Sequence, residues 1–335
     1  MNVFELTRAL IDIESITGNE EKVGEFLERH LSGLASRFNG KVERMEAEPH
    51  RFNVFAQFGE RPVVTMSTHM DTVPPFFPSR EDDEFIWGRA AADTKGIIAS
   101  MITAAERLLE RGGTNLGLLF VVGEERDSIG AARAAKDPRG SRFLINGEPT
   151  ENKLALGSKG SLRIELHASG RMAHSAYPEL GESAIEKLLT AIERLRAMEL
   201  PVNPEVGFCT MNIGIIEGGR APNVIADQAR AQLLYRLVGP SEPLRAQITA
   251  AIAGLAEAEF VLEIPFVKLR TVPGIESMVA KFTTDIPWLS QWGVPVLIGP
   301  GSIHVAHTER EFISKKQLHE AVDLYCAIAR DLLKT

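Results

Sequence analysis

The order of structural signals along the chain predicts an α/β protein. Its main body is a mostly parallel sheet with helices on both faces, and a β-α-β-β-α-β domain is inserted into it. Three observations predict this. Helical periodicity alternates with short, unbroken apolar runs through the first third; near Gly157 the pattern changes to longer strands and two helices; after Val272 the first pattern returns. Buried strands alternating with helices are the mark of parallel sheets covered on both sides.

Taken in order, residues 1–13 form an amphipathic helix carrying Glu5, Arg8 and Asp12. Thr17 and Glu20 have the spacing of a capping box, and Val23, Phe26, Leu27, Leu31 and Leu34 supply the apolar stripe of the helix that follows. Residues 54–58 and 62–67 read as strands, 97–109 as a helix, 117–122 as a fully buried strand and 143–146 as a short one. Next come a strand at 162–168, a helix at 182–198, strands at 207–216 and 228–237, a helix at 242–257 and a strand at 259–266. That order is the split, ferredoxin-like motif, compact in its own right. From Val272 the sequence predicts a helix, the strand 294–298, a Gly-Pro-Gly turn and a closing helix from Ser314. The expected domains are therefore 1–157 with 268–335, and an inserted lid at 158–267.

The chain has 335 residues, beyond the roughly 250–300 at which one core stops growing. With 44% hydrophobic and 24% charged residues it has the composition of a globular protein. A formal net charge of −8 repels phosphate backbones, which argues against a nucleic-acid partner, and it is compatible with bound divalent cations. Cys209 and Cys326 cannot build a disulfide framework and read as core fillers. The first residues lack the basic-then-apolar pattern of a signal peptide, and no apolar run approaches the roughly 20 residues of a membrane span. A cytoplasmic protein is expected.

Four groups of acids and histidines share one context: each follows the carboxyl end of an expected strand. In open α/β sheets the ligand crevice lies outside those ends. The first is Thr68-His69-Met70-Asp71-Thr72-Val73-Pro74. A ligating histidine usually donates its second ring nitrogen to a carboxylate, a part Asp71 can play for His69. Taken alone, the pair also fits a surface histidine beside a turn. Asp93, in Gly88-Arg89-Ala90-Ala91-Ala92-Asp93-Thr94-Lys95-Gly96, can bridge metals or cap the following helix. Glu124 and Glu125 close a buried strand, where two like charges need something positive to hold them. A metal ligand beside a general base uses both. Glu148 repeats the strand-end acid, and residues 299–309 offer His304 and His307. The mixed imidazole and carboxylate set suits zinc, with cobalt or manganese as alternatives, and the surplus of acids suggests two ions sharing a carboxylate.

These motifs resemble the cocatalytic zinc deacylases and peptidases, the family of acetylornithine deacetylase, succinyl-diaminopimelate desuccinylase, aminoacylase and glutamate carboxypeptidase. Ser-Thr-His-Met-Asp-Thr-Val-Pro, Gly-Arg before Asp-Thr-Lys-Gly, Gly-Glu-Glu, and Gly-Pro-Gly before Ala-His-Thr carry the resemblance, which runs nearly end to end. It implies a di-zinc peptidase-like catalytic domain. His69 and Glu148 would bind one ion, Glu125 and His307 the other, and Asp93 both. Asp71 would orient His69, and Glu124 would be the general base toward a metal-bridging hydroxide. In the lid, His174 would reach a partner subunit's site in a homodimer, while Asn223 and Arg236 would bind substrate, as would His304 in the last motif. The implied reaction is hydrolysis of an amide beside a carboxylate. An N-acyl amino acid is the first expectation; a short peptide, or an amino acid held on a carrier protein, is the alternative, and a non-catalytic metal-binding protein is a third. Three departures bear on specificity: Ala90, Ala91 and Ala92 replace a glycine-containing run, Ala226 stands where proline is common, and Ser302 replaces an acid.

Overall fold

The computed structural model describes residues 1–334, and the chain separates into two compact units. The first comprises residues 1–156, 269–278 and those from Thr284 onward; the second comprises Gly157–Lys268 with the short return Val279–Thr283.

The first unit is built on a six-stranded sheet of β1 (Gly40–Glu48), β2 (Arg51–Phe58), β3 (Val64–His69), β4 (Leu116–Val121), β5 (Phe143–Asn146) and β6 (Val294–Leu297), in the spatial order β1-β2-β4-β3-β5-β6. β4, β3, β5 and β6 run parallel, while β2 is antiparallel to both β1 and β4. The pleat divides the side chains between two apolar layers. Val54, Ala56, Met66, Leu118 and Phe120 face one layer, with Leu6, Leu27, Ile98, Leu108 and Val322 from the helices α1 (Val3–Ile11), α2 (Glu21–Phe38), α3 (Gly96–Glu110) and α5 (Lys315–Lys334). Phe55, Leu119, Val121 and Leu144 face the other, with Ala131 and Ala134 of α4 (Ile129–Ala135) and Trp292. β3 is buried along its whole length, which explains its unbroken apolar and hydroxyl sequence.

Four local expectations are corrected. β1 was not anticipated: as an edge strand its partly charged sequence alternates too weakly to stand out. Thr17 and Glu20 form no capping box; the Thr17 hydroxyl donates to Asp71 at 2.8 Å, and the Glu20 carboxylate accepts from Arg51 at 2.9 and 2.7 Å. Buried charges claim these side chains ahead of the helix end. No helix forms between Val272 and Gly293 beyond the short turn Ser290–Trp292; Pro273 and Gly274 turn the chain into the strand Ser277–Ala280. α3 begins at Gly96 with Lys95 at its cap position, so Asp93 is not the cap.

The second unit is a four-stranded antiparallel sheet in the order Thr210–Gly218, Gln228–Leu237, Gly160–Ser169, Glu257–Ile264. Helices Ala184–Arg196 and Glu242–Ala251 cover one face, enclosing Leu162, Ile164, Leu188, Leu233, Tyr235 and Ile248. This is the expected split motif. Both cysteines are buried and unpaired. No helix among the described residues is long and apolar enough to cross a membrane.

Candidate metal centre

Four parallel strands end on the same edge of the first unit's sheet, and their exits carry the chemistry. β3 ends in His69, with Asp71 two residues on. β4 pairs Val121 with His69 and leads through Gly123 to Glu124 and Glu125. β5 ends two residues before Glu148, and β6 leads into the loop that carries His307. Gly123 has φ +80°, and a Cβ there would lie 2.9 Å from Asp127 and 3.0 Å from Arg51, so the turn that presents the glutamates requires glycine.

Two groups of donor atoms assemble. In one, His69, Asp93 and Glu148 each offer an atom within 4.8 Å of the others; in the second, Asp93, Glu125 and His307 do the same. Asp93 belongs to both. Its Oδ1 lies 3.2 Å from Nε2 of His69, and its Oδ2 lies 3.3 Å from Nε2 of His307. His307 Nε2 also lies 3.0 Å from the Glu125 carboxylate. Asp93 is held in a non-helical stretch (φ −127°, ψ 79°) after Ala90, which adopts the left-handed region at φ 65°. The glycine-containing run that Ala90 replaces would sit in that region without strain.

Asp71 connects the parts. Its Oδ1 accepts the amide of Glu124 at 3.0 Å, and its Oδ2 accepts the amide of Glu125 at 3.3 Å and the Thr17 hydroxyl at 2.8 Å. Nδ1 of His69 lies 3.1 Å from the Asp71 carbonyl and 3.5 Å from Oδ1, so both nitrogens of this ring face oxygen.

The electrostatics describe an excess of acid. Burial, with the neighbouring carboxylates adding to it, raises Glu124 and Glu148 well above the usual carboxylate range, although His69 pulls both down. Burial lifts Asp285 to about 7 as well, although Ser128 beside it pulls the other way. Burial works against a charge on His69, yet its contacts with Asp71 and Asp93 outweigh that and hold it well above its ordinary value. Bonds to Asp93 and Glu125 lift His307 to about 10. Oxygen and imidazole donors converging under mutual carboxylate repulsion fit divalent cations, whose charge relieves that repulsion.

The other sequence candidates lie elsewhere. His304 is exposed and belongs to neither donor group; its amide donates to Ser302. Ser302, standing where an acid was anticipated, donates to Glu151 at 2.8 Å, so a nearby residue supplies an acid at that turn. In the second unit His174 and Asn223 come together: His174 bridges Val224, and the Ser175 amide donates to the Asn223 carbonyl at 3.0 Å. Nδ1 of His174 accepts the Ala176 amide. Arg236 lies on the strand Gln228–Leu237, half-buried and with no acidic partner among the described residues. Sequence reasoning missed Asp285, whose Thr-Thr-Asp setting lies in the segment read as helix.

A donor set of this kind at the carboxyl edge of a parallel sheet is suited to hold divalent ions. The chain belongs to peptidase family M20/M25/M40, whose sequence profile matches residues 65–331, and it is an enzyme of a metallopeptidase family acting on amides. A peptidase M20 domain-containing protein of Schizosaccharomyces pombe is 36% identical to it, over 97% of this chain and 83% of its own. A probable carboxypeptidase of Aspergillus clavatus is 37% identical, over 98% and 82% respectively. Among solved structures, an aminopeptidase of Bacillus cereus superposes with a TM-score of 0.83 at 20% identity, over 99% of this chain and 98% of its own. A dinuclear metal-binding M20 peptidase of Bacillus subtilis gives 0.71 at 16%, over 99% and 98%. The last two establish the likeness of fold.

Proposed function

We propose that the protein is a carboxypeptidase-like exopeptidase that hydrolyses a peptide bond next to a free carboxylate. The observation that carries this reading is the pair of donor groups sharing Asp93, with the Glu124 carboxyl beside them. The names of the curated relatives favour a peptide over the N-acyl amino acid expected first, although one site would serve both.

His69 and Glu148 would hold one divalent ion, Glu125 and His307 a second, and Asp93 both. Two such ions, zinc by donor type, with cobalt or manganese as alternatives, would polarise the scissile carbonyl and make the attacking water more acidic. Glu124 takes the proton of that water and returns it to the leaving amine. Asp71 keeps the His69 ring in place and fixes the Glu124 amide, so the base and a ligand are positioned by one carboxylate.

The second unit would act as a lid and dimerisation domain. Arg236, a half-buried guanidinium without an acidic partner, is suited to take the substrate carboxylate through paired hydrogen bonds, with Asn223 and His304 as further substrate contacts. His174 would donate to the developing oxyanion in the partner subunit of a homodimer. Two buried free thiols fit a cytoplasmic setting.

The test is a panel of short peptides with free or amidated carboxyl termini alongside N-acyl amino acids, assayed with added zinc. Cleavage of free-carboxylate peptides, lost on amidation, is the expected result; turnover confined to N-acyl amino acids would transfer the assignment to deacylation. Mixing inactive His174→Ala and Glu124→Gln chains should restore up to about a quarter of wild-type activity if subunits exchange and share sites.

A further inference from the structure

Glu311 is a buried acid that the chemistry above leaves unused. The residue is 1% exposed, and its carboxylate has donors on both sides. Oε1 accepts the backbone amides of Ala92 and Asp93, both at 3.1 Å, and Oε2 accepts Nη1 of Arg89 at 2.8 Å. Arg89, 2% exposed, also donates to the carbonyls of Thr308 at 3.2 Å and Pro75 at 3.1 Å, and its guanidinium lies over the Phe77 ring. The Gly88 amide donates to the Glu311 carbonyl, which closes the arrangement.

The stretch that carries Asp93 needs such support. Asp93 and Thr94 depart from helical dihedrals inside the single irregular turn Ala91–Lys95, so no regular ladder fixes them. The amides of Ala91 and Lys95 find backbone acceptors in Gly88 and Ala90, whereas those of Ala92 and Asp93 find theirs in Glu311. On the far side, Arg89 grips the carbonyl of Thr308, the residue after His307. One carboxylate therefore joins the two loops whose side chains meet where Asp93 faces His307.

We infer that Glu311 is a positioning residue for the metal centre. It holds the Asp93 backbone so that the two carboxylate oxygens face His69 and His307 at once, with Arg89 as its buried counter-charge. The inference rests on Asp93 serving two ions, as proposed above. An acid is required chemically, since both oxygens must accept. A carboxamide would turn its NH2 either toward Arg89 or toward the two amides, and donors would then face donors.

The test titrates metal-free wild type, Glu311→Gln and Arg89→Lys with zinc, reading ion content, affinity and thermal stability. Wild type should bind two ions; if it binds none, the proposed function fails before this inference is reached. Glu311→Gln should remain folded and lose roughly 10–100-fold in zinc affinity, as groups supporting metal ligands typically do. Arg89→Lys keeps the amide bonds to Glu311 intact, so it should lower the melting temperature and leave the zinc affinity within about threefold. If Glu311→Gln does not fold, Glu311→Asp retains the charge but falls one methylene short of the amides, and the same loss is expected of it. Wild-type affinity in the folded variant, or an equal loss of affinity in Arg89→Lys, overturns the inference.

Discussion

The backbone amide of Glu124 donates to Oδ1 of Asp71 at 3.0 Å, and the same carboxylate flanks the His69 ring. The position of the proposed base and the orientation of a proposed ligand thus depend on one buried acid. Asparagine at 71 could accept one amide, but its NH2 would oppose the other, and the charge beside His69 would be lost. Asp71→Asn is expected to weaken zinc binding by roughly 10–100-fold and to lower kcat even at saturating zinc. Unchanged kcat with zinc saturating would mean that Asp71 does not position Glu124.

Glu124 and Glu125 are adjacent but should separate cleanly. Glu125 approaches His307 at 3.0 Å and belongs to a donor group, whereas Glu124 belongs to neither group and lies close to both. Glu124→Gln should keep both ions and lose turnover by at least the roughly 10²–10⁴-fold typical of a general acid–base group. Glu125→Ala should lose one ion. Metal analysis beside kinetics checks both, and loss of metal in Glu124→Gln would exchange the two roles.

Much of this centre is legible in the sequence because parallel topology does the assembling. Four strands that end on one sheet edge bring His69, Glu124, Glu148 and His307 together, and each stands within a few residues of an apolar run that marks the strand. What the sequence conceals are contacts made by side chains already assigned a local task. Thr17 has the spacing of a helix cap, yet it serves Asp71, because a buried carboxylate competes for its hydroxyl more strongly than a solvated helix end. Asp285 is concealed by a segment whose helical periodicity is broken by Pro273-Gly274 and Pro287. Its burial shows only once Leu289 and Trp292 are packed beneath the sheet.

The last motif offers two histidines three residues apart, and the structure separates them. His307 reaches Asp93 and Glu125; His304 is exposed and in neither donor group. Alanine at His307 should reduce zinc affinity by at least the roughly 10–100-fold seen when supporting groups are removed. Alanine at His304 should leave zinc binding unchanged and alter KM. Isothermal titration with zinc separates the cases, and equal losses in both variants contradict the assignment.

Metal binding should also be linked to pH, with a sign that follows from the charges. In the metal-free protein His307 is held up to about 10 by Asp93 and Glu125, and His69 is held well above its ordinary value by Asp71 and Asp93 against the effect of burial. Glu148 is raised by burial and by its acidic neighbours. Near neutrality the two imidazoles carry protons that a ligand must surrender, and Glu148 holds its proton more tightly than a free carboxyl does, so zinc binding releases protons. Raising the pH removes that competition, and affinity should rise from about pH 6 to 8 and continue upward toward the His307 value. Titrations in buffers of different ionisation enthalpy count the protons; release of more than about one per chain is expected, falling by about one in His307→Ala. Binding without proton release, or affinity that falls as pH rises through neutrality, would show that these histidines and Glu148 do not enter the ligand set.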